Sequence, residues 1–242
     1  MDKSYLEDII EKYHLGGLVE RIKIKVDKKI LTTTFLSVNK NLVGSVEAPN
    51  FELKNCEFGI YDTSQLLKLI GITDNSLILD IEKNGKIFTK LFIADNEYNL
   101  EYILADIMLT PNIPQIEEPD YNIIANVDNE FINKFLKAKK ALDTEVFTVE
   151  IVKDIDKKDV IKFTIGGTDG YTNKASFTLL TTQANILPGI VVKFPITEFS
   201  EILSVNKEFT SGILKINEDG LLKIEFETEE GVKSSYTLVG KE

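Results

Sequence analysis

Residues 62–91 read DTSQLLKLIG ITDNSLILDI EKNGKIFTKL, and the fold follows from a change of period halfway along. Asp62 precedes an apolar run at helical spacing, Leu66, Leu67 and Ile70. Gln65 stands in the reciprocal capping position, and Gly71 stops the run. The period then drops to two. Leu77, Leu79 and Ile81 alternate with other side chains as far as Asn84-Gly85, two residues that tolerate positive φ and so predict a type I′ turn. Ile87 and Leu91 lie on the returning strand. The stretch therefore predicts a capped amphipathic helix followed by an antiparallel hairpin.

The same grammar recurs three more times. The first helix starts at Ser4, with Glu7 completing a capping box, and puts Tyr5, Leu6, Ile9, Ile10 and Tyr13 on one face before Gly16-Gly17. Ile22, Ile24 and Val26 then alternate towards a turn at Asp27-Lys28-Lys29. The third helix is capped by Asp128, carries Phe131, Phe135, Ala138 and Leu142, and leads to a hairpin around Asp154 to Asp159. The fourth begins at Thr197 with Phe199, Ile202 and Leu203. Leu214 and Ile216, the turn Asp219-Gly220, then Leu222, Ile224 and Phe226 follow. From helix start to turn the intervals are 23, 22, 26 and 22 residues, which marks an internal repeat.

A chain of 242 residues accommodates two domains of about 120 each. Residues 107–120 contain three of the six prolines, Pro111, Pro114 and Pro119, and read as an extended connector, because proline blocks both ladder pairing and helix continuation. That places an N-terminal domain at 1–106 and a C-terminal domain at 121–242. Each is expected to be α+β, with two helices covering mainly antiparallel sheet.

Composition narrows the function. With one cysteine, Cys56, and one histidine, His14, a disulfide, a His-rich metal site and most imidazole-based catalytic constellations are not expected. His14, at a helix end before Gly16, reads as a surface or C-terminal helix residue. Asp154, Asp156 and Asp159 do not make a calcium loop, since the positions that need Gly and Glu hold Asp159 and Ile165. Gly166-Gly167-Thr168-Asp169-Gly170 lacks the Gly-Lys-Ser/Thr ending of a phosphate loop. The pairs Glu117-Glu118 and Glu229-Glu230 read as solvated surface. No catalytic residue, metal or cofactor is expected, nor a leader or membrane span, and the expected location is cytoplasmic.

A net charge of -11 argues against generic adhesion to nucleic acid, so any such contact must be local. The local concentration is on the third helix. Lys134, Lys137 and Lys140 lie opposite the Phe131, Phe135, Ala138, Leu142 stripe, with Lys139 beside them and no acidic residue from 131 to 142. Lys12, Lys68 and Lys207, near the other three helices, are weaker candidates, since Glu7, Asp8 and Glu11 share the first helix and Glu198 and Glu201 the fourth. In the connector, Met108, Leu109, Pro111, Ile113 and Pro114 form an apolar extended run.

The segments FGIYDTSQLLKLI (58–70) and FPITEFSEIL (194–203), the latter followed through Ile213 to Phe226 and by Tyr236-Thr-Leu-Val, resemble the DNA polymerase sliding clamps of large tailed phages. A more distant resemblance is to proliferating cell nuclear antigen. The resemblance implies two similar clamp domains and a homotrimeric ring, closed by edge-strand pairing, with helices lining a hole that encircles duplex DNA. It also implies that the lysines meet phosphates non-specifically, that a clamp loader is a partner, and that the replicative DNA polymerase is tethered for processive synthesis. Connector residues 108–114 would then line or rim a client pocket, and a viral protein would work in the host cytoplasm. The competing reading is a non-catalytic structural or interaction protein of a virus particle.

Overall fold

The computed structural model describes residues 1–111, 113, 118–167, 172–185 and 191–241. By internal packing the chain divides into two compact units, Met1–Gln115 with Glu229–Ser234, and Ile116–Thr228 with Ser235–Glu242. Each contains two helices against antiparallel strands, so the α+β expectation holds.

The first unit runs α1 (Lys3–His14), β1 (Ile22–Asp27), β2 (Ile30–Leu36), β3 (Leu42–Ala48), β4 (Cys56–Ile60), α2 (Thr63–Gly71), β5 (Ile78–Asn84), β6 (Ile87–Ala94) and β7 (Asn99–Ile103). Its strands are ordered β4-β1-β2-β3 and β5-β6-β7. Burial alternates strictly along β1, with Ile22, Ile24 and Val26 inside, as a sheet with one covered face requires. The helices α1 and α2 pack side by side. They set Leu6, Ile9, Ile10, Leu66 and Ile70 around one apolar cavity, together with Ile24, Phe58, Leu91 and Ile93 from the strands.

The second unit runs β8 (Ile123–Asn126), α3 (Asn129–Ala141), β9 (Val146–Lys153), β10 (Asp159–Gly166), β11 (Lys174–Leu180), β12 (Gln183–Ala184), β13 (Val191–Pro195), α4 (Ile196–Val205), β14 (Ser211–Ile216) and β15 (Leu221–Glu227), and β16 (Lys233–Val239) closes the chain. Strand orders are β12-β8-β14-β15-β16 and β11-β10-β9-β13. The core here is a phenylalanine cluster. Phe135 meets Phe147 at 5.0 Å and Phe199 at 4.9 Å, both edge-on, and Phe131 meets Phe163 at 4.9 Å. Such tilted pairs add about 0.5–1.5 kcal/mol each beyond their area burial.

All four helix-then-hairpin units are present, and the details that differ have local causes. Asp2, not Ser4, caps α1, its carboxylate accepting the Ser4 N–H at 2.8 Å. The first-turn donors are thus satisfied two residues earlier than the capping-box spacing implied. Leu67 is half-buried, because the apolar stripe of the short α2 is narrow. The β5–β6 turn centres on Gly85-Lys86 with Gly85 at φ 62°, since Asn84 still pairs with Ile87 across a bulge at Glu82/Lys83. The fourth helix starts at Ile196 after Pro195, one residue before Thr197 and without a side-chain cap. Glu118 lies on the surface, as expected, and there binds Lys223 at 2.5 Å.

Candidate nucleic-acid interface

The α3 basic face is built by capping and by the aromatic core behind it. Asp128 accepts the Phe131 N–H at 2.7 Å and fixes the start of the helix. Phe131, Ile132 and Phe135 are buried, so rotation about the helix axis is set by the core. Lys134, Lys137 and Lys140 are consequently exposed, and Lys139 is half-buried. One neighbour tempers the charge. Glu130, one turn ahead of Lys134, accepts its ammonium at 2.6 Å, an exposed pair whose net strength is small. Lys139 and Lys140 lie in the last turn, where the helix dipole favours cations.

The weaker candidates separate. Lys68 on α2 and Lys207 just past α4 are exposed. Lys12 is not available: it is 1% exposed and its ammonium is bonded to Asp8 one turn earlier. An amphipathic lysine can lay its methylene stem along the core and end on a nearby carboxylate, which spacing could not distinguish from an outward lysine. With Lys12 withdrawn, α1 presents Glu7, Asp8 and Glu11 against Lys3 alone, and among the four helices the basic surface stays concentrated on α3.

His14 ends α1 as expected but is buried rather than superficial, at 8% exposure. Its Nε2 lies 3.0 Å from the Ser64 hydroxyl and 3.1 Å from Glu20 Oε1, while Ser64 Oγ donates to Glu20 at 2.6 Å. Serine and carboxylate thus share one side of the ring, whereas a nucleophile triad needs the carboxylate on the opposite nitrogen. The cluster is a brace. Glu20 also accepts the Ser64 N–H at 3.0 Å, tying the start of α2 to the segment after α1. Burial alone would raise the Glu20 carboxyl pKa, but the bonds from Ser64 and His14 outweigh it and hold it below its usual value.

The start of the connector is a fixed apolar turn at Ile107–Leu109. Asp106 accepts the Met108 N–H at 2.9 Å, and the Thr110 hydroxyl donates to the Ile107 carbonyl at 2.6 Å. Ahead of it, Ala105 pairs with Gly59 on β4. A Cβ on residue 59 would stand 2.9 Å from the Thr110 methyl and 3.0 Å from the Ala105 carbonyl oxygen, so the close approach requires glycine. Met108 is 87% and Leu109 75% exposed, Pro111 is exposed and Ile113 half-buried, while Pro114 falls outside the described residues. Met108 and Leu109 therefore present an apolar surface outward and do not pack down.

The end of the connector is held by charge. Lys223 on β15 binds Glu118 at 2.5 Å and Glu225 at 2.9 Å, and Glu225 binds Lys215 on β14 at 2.6 Å. Desolvation opposes the charged Lys223, yet its two carboxylate partners hold its pKa above the usual lysine value. Sequence offered no signal for this network, since Glu118 and Lys223 are 105 residues apart. Among the described residues, no group of acidic, cysteine or histidine side chains is placed to hold a metal, and no helix is long and apolar enough to cross a membrane.

No protein-family model matches the sequence, and a search of curated proteins finds no relative. Solved structures do match. Proliferating cellular nuclear antigen (PCNA) from Entamoeba histolytica superposes with a TM-score of 0.78 at 16% identity, covering 100% of this chain and 97% of that one. A chain of the complex of the C-terminal region of FEN-1 bound to A. fulgidus PCNA gives 0.78 at 14% identity, with the same coverage. At these identities the likeness lies in the backbone: over its whole length, this chain has the PCNA clamp fold.

Proposed function

We propose that the chain is a non-catalytic sliding clamp that encircles duplex DNA and tethers the replicative DNA polymerase. The observation that carries this reading is a basic face on α3, rotated outward by a phenylalanine core, within a chain that has the clamp fold from end to end. A clamp acts by topology, so it needs mobile cations facing phosphates and no base-specific contact. Partners in this reading are a clamp loader and a polymerase. The phage-type resemblance of 58–70 and 194–203 favours a viral replication complex in the host cytoplasm.

Ring closure needs complementary free edges. Lys241 bridges to β13 at Lys193, and Asp2 bridges to Ser76 just ahead of β5. Of the other strands that end a sheet, β4, β7, β11 and β12, the pair β7 and β11 expose Ile103 and Leu180 by 55% and 56%. Pairing β7 of one copy with β11 of the next would bury both edges and close a homotrimer. Light scattering at micromolar concentration should give three times 27.3 kDa, and a negative-stain image should show a ring. A protein that stays monomeric at every concentration, with Ile103→Asp and Leu180→Asp changing nothing, would remove the autonomous ring.

The exposed turn supplies a client surface. In the A. fulgidus complex the bound segment is the C-terminal region of FEN-1. By analogy, a polymerase tail peptide would dock on Met108 and Leu109 with Ile113 beside them. Replacing Met108 and Ile113 by Asp should weaken that peptide by at least about tenfold, as loss of an apolar anchor does, with oligomeric mass unchanged. Unaltered affinity moves the client site elsewhere.

A further inference from the structure

The β1–β2 hairpin turns through two lysines, in a conformation that lysine does not favour. Lys28 and Lys29 have φ of 50° and 62°, and Asp27 pairs with Ile30 across them, so both central residues of a two-residue turn are left-handed. Asn-Gly is the usual solution there, because a Cβ is strained at positive φ. The hairpins at Gly85 and Gly220 use glycine, and the β2–β3 and β9–β10 turns carry one left-handed lysine each, Lys40 and Lys157, so the β1–β2 turn stands apart in having two in succession. Strain retained at a solvent-facing position points to a use for the side chains.

The tip is also braced. Asn55 donates to Asp27 Oδ1 at 2.8 Å and accepts the Lys28 N–H at 3.0 Å, while the Phe51 N–H bonds the Lys29 carbonyl at 2.9 Å. Lys25 and Lys54 stand exposed beside it. Two of the nearby carboxylates are neutralised by cations, whereas Asp27 keeps its charge, as does the exposed Glu47 across from Thr32 on β3. Asp27 is held by Asn55, Glu52 by the Met1 amine at 2.8 Å, and Glu57, which faces Lys25 across the strands, by Lys23 at 3.1 Å. Among the described residues Lys25, Lys28, Lys29 and Lys54 take part in no ion pair, on a chain whose net charge is -11.

We infer that Lys25, Lys28, Lys29 and Lys54 form a second phosphate-binding patch, which takes the backbone of duplex DNA apart from the α3 lysines. The inference rests on the clamp reading. Ile30, 40% exposed, is the one large apolar side chain exposed at the tip among the described residues, so the buried anchor of a tight peptide site is missing. Backbone binding needs only unpaired cations.

Two variants of the full chain test it. Lys28→Asn with Lys29→Gly gives the turn the residues it favours, so the melting temperature should hold or rise while binding falls. Lys25→Gln with Lys54→Gln leaves the backbone as it is. Fluorescence anisotropy on a labelled duplex should show each pair lowering affinity by about tenfold at about 0.05 M salt, and flattening the log-log salt slope by about 2. If both pairs keep wild-type affinity and slope while charge reversal on α3 does not, this patch is overturned and the clamp reading stands. If the same variants lose polyglutamate and keep duplex, the tip serves an acidic protein and the inference is wrong. A wild-type chain without measurable duplex affinity at that salt overturns this patch, while the clamp reading then stands or falls on retention by a duplex with a blocked end.

Discussion

Charge reversal of Lys134, Lys137 and Lys140 to Glu should remove DNA retention by this protein while leaving its fold intact. The three side chains are exposed on one face of α3, so exchange moves the local charge from +3 to -3 without touching Phe131 or Phe135. Glu130 adds to the effect, because it loses the ammonium that neutralises it. Retention on a bead-tethered linear duplex with a blocked free end should fall by at least about a hundredfold at about 0.05 M salt, given the steep salt dependence of phosphate contacts. Screening acts over about 10 Å at 0.1 M, so the deficit should shrink as salt rises, which a folding defect would not do. Opening the free end should release the wild-type protein if retention is topological. Wild-type retention by the triple variant would return these lysines to ordinary solvated surface.

The largest loss of stability should come from Phe135→Ala. Phe135 is fully buried and its ring lies edge-on to Phe147, Phe163, Phe177 and Phe199. Removing it creates a cavity that several stiff rings cannot collapse, at a cost of about 3–5 kcal/mol. Phe135→Leu fills part of that space and should cost less. Urea unfolding followed by far-UV circular dichroism measures both. A loss below about 1 kcal/mol for the alanine variant would mean that the cluster relaxes around the gap, contrary to close packing. Because Phe135 also sets which way α3 faces, its alanine variant should weaken duplex affinity at temperatures where it remains folded.

Much of this was legible in sequence because periodicity and turn chemistry act locally. The four helices and their hairpins follow from apolar spacing, and Gly220 sits where Asp219-Gly220 placed a turn. The α3 lysines were readable for the same reason: the phenylalanine stripe fixes which side faces solvent. Lys12 was misread because helical spacing gives direction but not the reach of a side chain, and Asp8 draws its ammonium back against α1. The Lys223–Glu118 pair and the glycine requirement at position 59 were illegible, since both depend on segments brought together across long stretches of chain. The two left-handed lysines showed in sequence as a polar turn, but their φ values did not.

Gly59 has a wider consequence. The place where the apolar turn at 107–109 stands is written on β4, some fifty residues earlier, in the absence of a single methyl group. On the proposed client role of Met108, a genetic screen for failed polymerase recruitment would return changes at residue 59 alongside changes at Met108. The first class would be silent in any map of solvent-exposed contacts, because its product is a displaced surface and not an altered one.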